Sequence, residues 1–289
     1  MKHILRYLLC GMAMGAADVV PGVSGGTIAF ITGIYQPLLD AIQSVDRNFF
    51  RLLFQGHVLP ALRRIPWAFL LPLATGIGCS IFSLARLVLY LLHSYPVVIW
   101  AFFFGLIAAS IVLLFRNLGR RGGKEGASLA AGVLFAWCLS GAEAVSMSQT
   151  PLMLFAAGFI AICAMILPGI SGAFILVLLG QYQYVLSAVA SLNLPILAIF
   201  ALGCLCGLLI FARVLNTCLR RWHDATLALL IGIMAGSLRT VWPWKDGSMP
   251  ALPPSDMPEI LVALLCCAAG LCLPLLVSAL PRPPRPEAR

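Results

Sequence analysis

The chain has 289 residues, of which 61% are hydrophobic and only 10% charged, with a formal net charge of +9. Soluble domains carry roughly 45–50% apolar and about 25% charged residues, so a mean hydropathy of +1.01 leaves too little polar surface for a soluble fold. The composition is that of a polytopic membrane protein, and it excludes a secreted disulfide scaffold, a nucleic-acid module and a disordered chain, because the basic residues are scattered between apolar runs.

A bilayer core of about 30 Å requires roughly 20 apolar residues per helix. The first apolar region, 3–54, is interrupted by Pro21-Gly22-Val23-Ser24-Gly25-Gly26 and reads as a helical hairpin with a non-helical tip. Proline removes a helix donor and glycine permits left-handed backbone, so continuous helix through that string is disfavoured. The N-terminal run has the look of a signal peptide, but its tip recurs later in the chain, so it is expected to be retained. Spanning helices follow over 66–92, 96–115 and 127–144. A second broken region, 151–190, carries Pro168-Gly169-Ile170-Ser171-Gly172 and reads as a second hairpin, followed by spans over 196–219, 225–242 and 259–280. The expected fold is an all-α membrane protein of one domain, with repeat halves 1–145 and 146–280 and a proline-rich tail, 281–289.

Fifteen of the 19 basic residues fall at the N-terminus, in the tail or in alternate loops, such as Arg63-Arg64, Arg120-Arg121 and Arg220-Arg221. The intervening loops hold only Lys245. This asymmetry predicts that the basic loops and both termini are cytoplasmic. The ten cysteines lie mostly inside apolar runs, with no C-x-x-C pair. They are expected to pack helices, with no metal and no cofactor.

The two tips match in register. Pro168 lies 147 positions after Pro21, and the same offset pairs Gly22, Ser24, Gly25, Gly33, Tyr35 and Gln36 with Gly169, Ser171, Gly172, Gly180, Tyr182 and Gln183. At an offset of 127, Arg86 matches Arg213, Gly76 matches Gly203, Gly105 matches Gly232 and Ser110 matches Ser237. The uncharged loop at 93–95 thereby corresponds to the basic one at 220–222, so the halves are expected to be inverted in the membrane, as in many transporters. Re-entrant hairpins would bring the tips together near the midplane; hairpins that cross fully are the alternative.

Each tip offers freed backbone N–H groups, a hydroxyl and the start of a helix, which together suit an anion. Candidate phosphate-binding residues are Gly22, Ser24, Gly25, Gly26 and Thr27 in the first tip and Gly169, Ser171 and Gly172 in the second. Arg86 and Arg213 would add bidentate donors, unless they snorkel to the nearby loops. Asp18 has Met165 as its counterpart and is the candidate for ion coupling by H+ or Na+, or else for a salt bridge to one of those arginines. No P-loop, H-E-x-x-H or G-x-S-x-G in a strand-to-helix context is present, so an enzyme is not expected.

The string from Met14 through Asp18-Val19-Val20-Pro21-Gly22-Val23-Ser24-Gly25-Gly26-Thr27 to Phe30 resembles the signature of the bacterial polyprenyl-phosphate transporter family. Leu167-Pro168-Gly169-Ile170-Ser171-Gly172 is similar to its second copy, and the resemblance extends from about Leu8 to beyond Ser237. It implies a flippase of the cytoplasmic membrane that returns undecaprenyl phosphate for cell-wall synthesis, with a lipid-linked phosphate as substrate and membrane lipids as surroundings. The residues themselves also allow a small-anion transporter or channel and, more remotely, a membrane lipid phosphatase.

Overall fold

The computed structural model describes residues 2–20, 23–119, 122–145, 148–246 and 249–279. Pro21, Gly22, Arg120, Arg121 and the proline-rich tail lie outside the described residues. Among the described residues the regular structure is helical apart from a two-residue antiparallel pairing of Lys245–Asp246 with Met249–Pro250.

The first half begins with α1 (Lys2–Asp18), α2 (Gly25–Ile31) and α3 (Tyr35–Gln43). Ser24 caps α2, its Oγ accepting from the Gly26 N–H, and Gly33 turns the chain into α3 at φ 75°. Two short helices follow, α4 (Arg47–Phe54), capped by Asp46, and α5 (Val58–Arg63). Then come α6 (Trp67–Ser94), α7 (Pro96–Arg116) and α8 (Gly123–Ser140). The second half comprises α9 (Pro151–Ile166), α10 (Gly172–Leu178), α11 (Tyr182–Ala190), α12 (Leu194–Arg221), α13 (His223–Ser237) and α14 (Met257–Ala279). Gly180, at φ 65°, turns α10 into α11 as Gly33 turns α2 into α3.

The offsets read from the sequence reappear in the element bounds. Adding 147 to the bounds of α2 and α3 gives those of α10 and α11, and adding 127 to those of α6 gives those of α12. Helix pairing follows the same rule, with α1 against α6 and α9 against α12. The last helix of each half crosses over: α8 packs on α13, and α14 packs on α7. The halves are therefore interlocked.

Close helix approach explains the glycines at these crossings. A Cβ on Gly76 would overlap the Leu8 carbonyl oxygen, and one on its repeat mate Gly203 would overlap that of Phe155. Small residues let backbones meet where lipid gives no hydrophobic drive to association. Gly203→Leu should lower thermal stability in detergent by about 1–3 kcal/mol or more, as expected of overpacking against backbone. Gly78→Ala, where a Cβ meets nothing within 4 Å, should be neutral or stabilise by roughly 0.5–1 kcal/mol. Equal melting temperatures for both variants would contradict this packing.

Among the described residues five helical stretches are long and apolar enough to cross a membrane: Trp67–Leu84, Pro96–Arg116, Leu194–Arg221, His223–Val241 and Met257–Leu276. The sequence predicted six such helices, and the missing one is α8. It has 18 residues, with Lys124 and Glu125 in its first turn, which leaves less apolar helix than the roughly 20 residues a bilayer needs. A sixth span is reached if α10 and α11, bent by 111°, are counted as one. Large apolar side chains such as Phe82, 87% exposed, face outward from these helices. Hydroxyls and amides go inward instead: Ser24, Thr27, Ser110, Ser171, Gln181, Asn216 and Ser237 are all buried.

Candidate functional site

The two tips are in direct contact. The Gly169 N–H donates to Thr27 Oγ1 at 3.0 Å, the Ser24 hydroxyl donates to the Met165 carbonyl at 3.0 Å, and the Tyr35 phenol donates to the Ile166 carbonyl at 3.0 Å. Three polar bonds thus join segments more than 130 residues apart in the chain. Their donors and acceptors are inside, Ser24 and Thr27 being 1% and 0% exposed. Such groups are costly unless satisfied, so the junction is specific rather than a loose approach of two turns.

The first tip already holds an anion. Asp18 ends α1 and its Oδ1 accepts from the Gly25 N–H at 2.7 Å, beside the start of α2. No ion pair joins Asp18 to Arg86 or Arg213 among the described residues, where the ion pairs are Arg64–Asp46 and Arg220–Asp40. The second tip has Met165 in that position, and the Ser171 side chain makes no cap bond to α10. Gly169 adopts φ 89°, where a Cβ would lie 2.7 Å from Ser237 Oγ. Gly26 is equally confined, its Cβ position lying 2.8 Å from the Ile166 carbonyl oxygen, and that of Gly172 lying 2.8 Å from the Ala161 oxygen. Gly22 is outside the described residues.

Neither Arg86 nor Arg213 bonds to a tip among the described residues. Helices α1 and α6 run parallel, with Gly11 beside Leu73 and Gly15 beside Ile77, so Arg86 stands further along α6 than the end of α1. It is exposed and makes no hydrogen bond or ion pair among the described residues. Arg213 lies on α12, and it donates to the Val45 carbonyl at 2.7 Å. The structure brings together Asp18, Ser24, Gly25, Gly26, Thr27, Gly169, Ser171 and Gly172, and among the described residues no hydrogen bond or ion pair links either guanidinium to them.

Several polar residues escaped sequence reading. A narrow cleft leads to Gly169 and Ser171 and is lined by Ser140, Phe174, Ser237 and Thr240. Ser237 carried a signal, its repeat match with Ser110; Ser140 and Thr240 carried none. Tyr35 belonged to the repeat, but nothing in its spacing announced a bond to Ile166. Between α3 and α12 lies a further network, in which Gln36 Nε2 donates to Asn216 Oδ1 at 2.6 Å and Asn216 Nδ2 to Asp40 Oδ1 at 3.0 Å. No group of three or more His, Cys, Asp or Glu suited to a metal occurs among the described residues.

The chain resembles two characterised proteins over most of its length. It is 46% identical over 246 residues to a polyprenyl-phosphate transporter of Vibrio cholerae, covering 85% of this chain and 80% of that protein. It is 32% identical over 254 residues to a polyprenyl-phosphate transporter of Staphylococcus aureus, covering 82% and 85%. No solved structure matches. A family model described as undecaprenyl phosphate translocase-like matches residues 14–253, from the helix that leads into the first tip to the loop before α14. The chain belongs to the undecaprenyl phosphate translocase-like family.

Proposed function

We propose that the protein carries undecaprenyl phosphate across the bacterial cytoplasmic membrane, with the head group held between the two tips and the isoprenoid tail left in the lipid. The observation that carries this reading is the tip-to-tip contact of Gly169 with Thr27, because it makes one polar junction from matched elements of both halves. Family membership and the names of the two relatives support the substrate class.

In this reading both hairpins are re-entrant, the halves are inverted and the termini are cytoplasmic, in line with the placement of the basic loops. One N–H of each tip presently has an acceptor from outside its own turn: the Asp18 carboxylate for Gly25, and a neutral hydroxyl for Gly169. A phosphate oxygen is the stronger acceptor, charge-assisted bonds being roughly twice as strong as neutral ones, so the head group replaces Thr27 at Gly169 and draws on the hydroxyls of Ser24 and Ser171. At the first tip Asp18 and the phosphate repel each other. Protonation of Asp18, or a cation beside it, removes that repulsion and couples an ion to the cargo. Arg86 and Arg213, one on each long helix packed against a tip-bearing segment, meet the phosphate on its way in and out.

The test is the sidedness of undecaprenyl phosphate in cells lacking or overproducing the protein. Loss should leave the lipid accumulated in the outer leaflet, and overproduction should deplete it there. Unchanged sidedness with altered uptake of inorganic anions would assign the site to small anions. Phosphate release from a lipid diphosphate by the purified protein would make it a phosphatase.

A further inference from the structure

The halves match closely in their helices, yet one set of contacts has no counterpart. Helix α3 lies against α12 through the network of Gln36, Asn216 and Asp40, the Arg220–Asp40 ion pair at 3.0 Å, and the bond from Arg213 to the Val45 carbonyl at 2.7 Å. The repeat offsets convert each pair into its mate: Asp40 with Arg220 becomes Ser187 with His93, and Val45 with Arg213 becomes Leu192 with Arg86. Among the described residues no hydrogen bond or ion pair joins either mate pair, and all four of these residues are exposed. Helix α11, the mate of α3, touches α12 of its own half.

A second asymmetry points the same way. Helix α2 packs against α7 and α14. Its mate α10 is separated from α8 and α13, the mates of α14 and α7, by the cleft that Ser140, Ser237 and Thr240 line. Polar contacts thus tie α3 to α12, while only a narrow cleft lies beside the second tip. Among the described residues the Arg86 guanidinium has no bonded partner, at the position on α6 that in the other half holds the bond from Arg213 to Val45.

We infer that Arg213 and Arg86 are alternate gate latches. In the present state Arg213 binds the Val45 carbonyl and closes the side carrying the end of α12. In the other state Arg213 lets go, α11 swings onto α6, and Arg86 donates to the carbonyl of Leu192. The same sequence pattern in two inverted copies gives two states of similar energy, which a bound ligand can bias by its differential affinity. Leu192 is the one described non-glycine residue with positive φ, 52°, so its carbonyl sits in a turn that is costly for a leucine in the open arrangement. The inference rests on the proposed two-sided passage between the tips, but its test does not require the cargo.

The experiment uses the full chain in membranes after replacement of its ten cysteines, with two engineered pairs and a short bis-methanethiosulfonate linker. Asp40→Cys with Arg220→Cys reports the closed contact seen here, and Ser187→Cys with His93→Cys reports the mate contact. Both pairs should link, and each link should stop transport until reductant is added. Arg86→Gln should slow linking of the 187/93 pair roughly ten- to a hundredfold, the loss of one charge-assisted bond, and leave the 40/220 pair as fast or faster; Arg213→Gln should do the reverse. Linking of the 40/220 pair with none of the 187/93 pair, or equal effects of each Gln variant on both pairs, would overturn the latches. If the pairs link alternately while undecaprenyl phosphate sidedness never changes, the latches stand and the cargo assignment fails.

Discussion

Asp18→Asn is expected to separate binding from coupling. The amide keeps the side chain's shape and leaves an oxygen to accept from the Gly25 N–H, now 2.7 Å from Asp18 Oδ1, so the first tip should hold its conformation. What it loses is the charge and the proton site. At the membrane depth proposed for the tips a carboxylate costs about 2.5–3.5 kcal/mol even on the lenient insertion scale, and no cation pairs with Asp18 among the described residues. That cost is the ground for proposing that Asp18 moves an ion. In vesicles with an imposed proton or sodium gradient, the Asn variant should bind the head group as well as the parent but show no gradient-driven transport. Asp18→Glu, one methylene longer, should retain partial coupling. Gradient-driven transport at the parental rate in the Asn variant would remove Asp18 from the coupling step.

Gly169→Ala should give the second large effect, through geometry rather than charge. Gly169 sits at φ 89°, a region that costs an alanine roughly 1–2 kcal/mol. Its Cβ would also stand 2.7 Å from Ser237 Oγ and 3.0 Å from the Met234 Cα, adding about 1–3 kcal/mol of overpacking. Relief requires moving the second tip away from α13, which pulls the Gly169 N–H off Thr27. Transport should fall to background while the variant still inserts into the membrane, as judged by its level there. Thr27→Val leaves the glycine conformation intact and removes only the neutral acceptor. It should cost about 1–3 kcal/mol for an unsatisfied buried N–H and retain measurable transport. Full transport in Gly169→Ala would show that the tip junction is not where cargo passes.

Gly76 and Gly203 illustrate what local sequence could reveal. Their match at a fixed offset marked both the repeat and the places where helices touch, because only a hydrogen side chain lets two backbones meet at that depth. The two P-G-x-S-G strings likewise marked the breaks before α2 and α10, since proline and glycine act on backbone conformation within a residue or two of themselves. The membrane class and the basic loops needed only composition and position. A different kind of fact lies in the bond from Arg213 to Val45. The sequence showed two symmetric arginines and no reason to separate them, yet one is tied to a carbonyl and the other has no bonded partner among the described residues. Thr27 and Tyr35 reach the opposite tip, and Ser237 comes to line the cleft above Gly169. Each of those contacts spans a large part of the chain and depends on how far one packed helix has shifted against another. Sequence by itself determined the class, the repeat and the positions of the tips; the tertiary structure alone decided which donor meets which acceptor, because a repeat specifies equivalent elements while long-range packing sets which of their polar groups come within bonding distance.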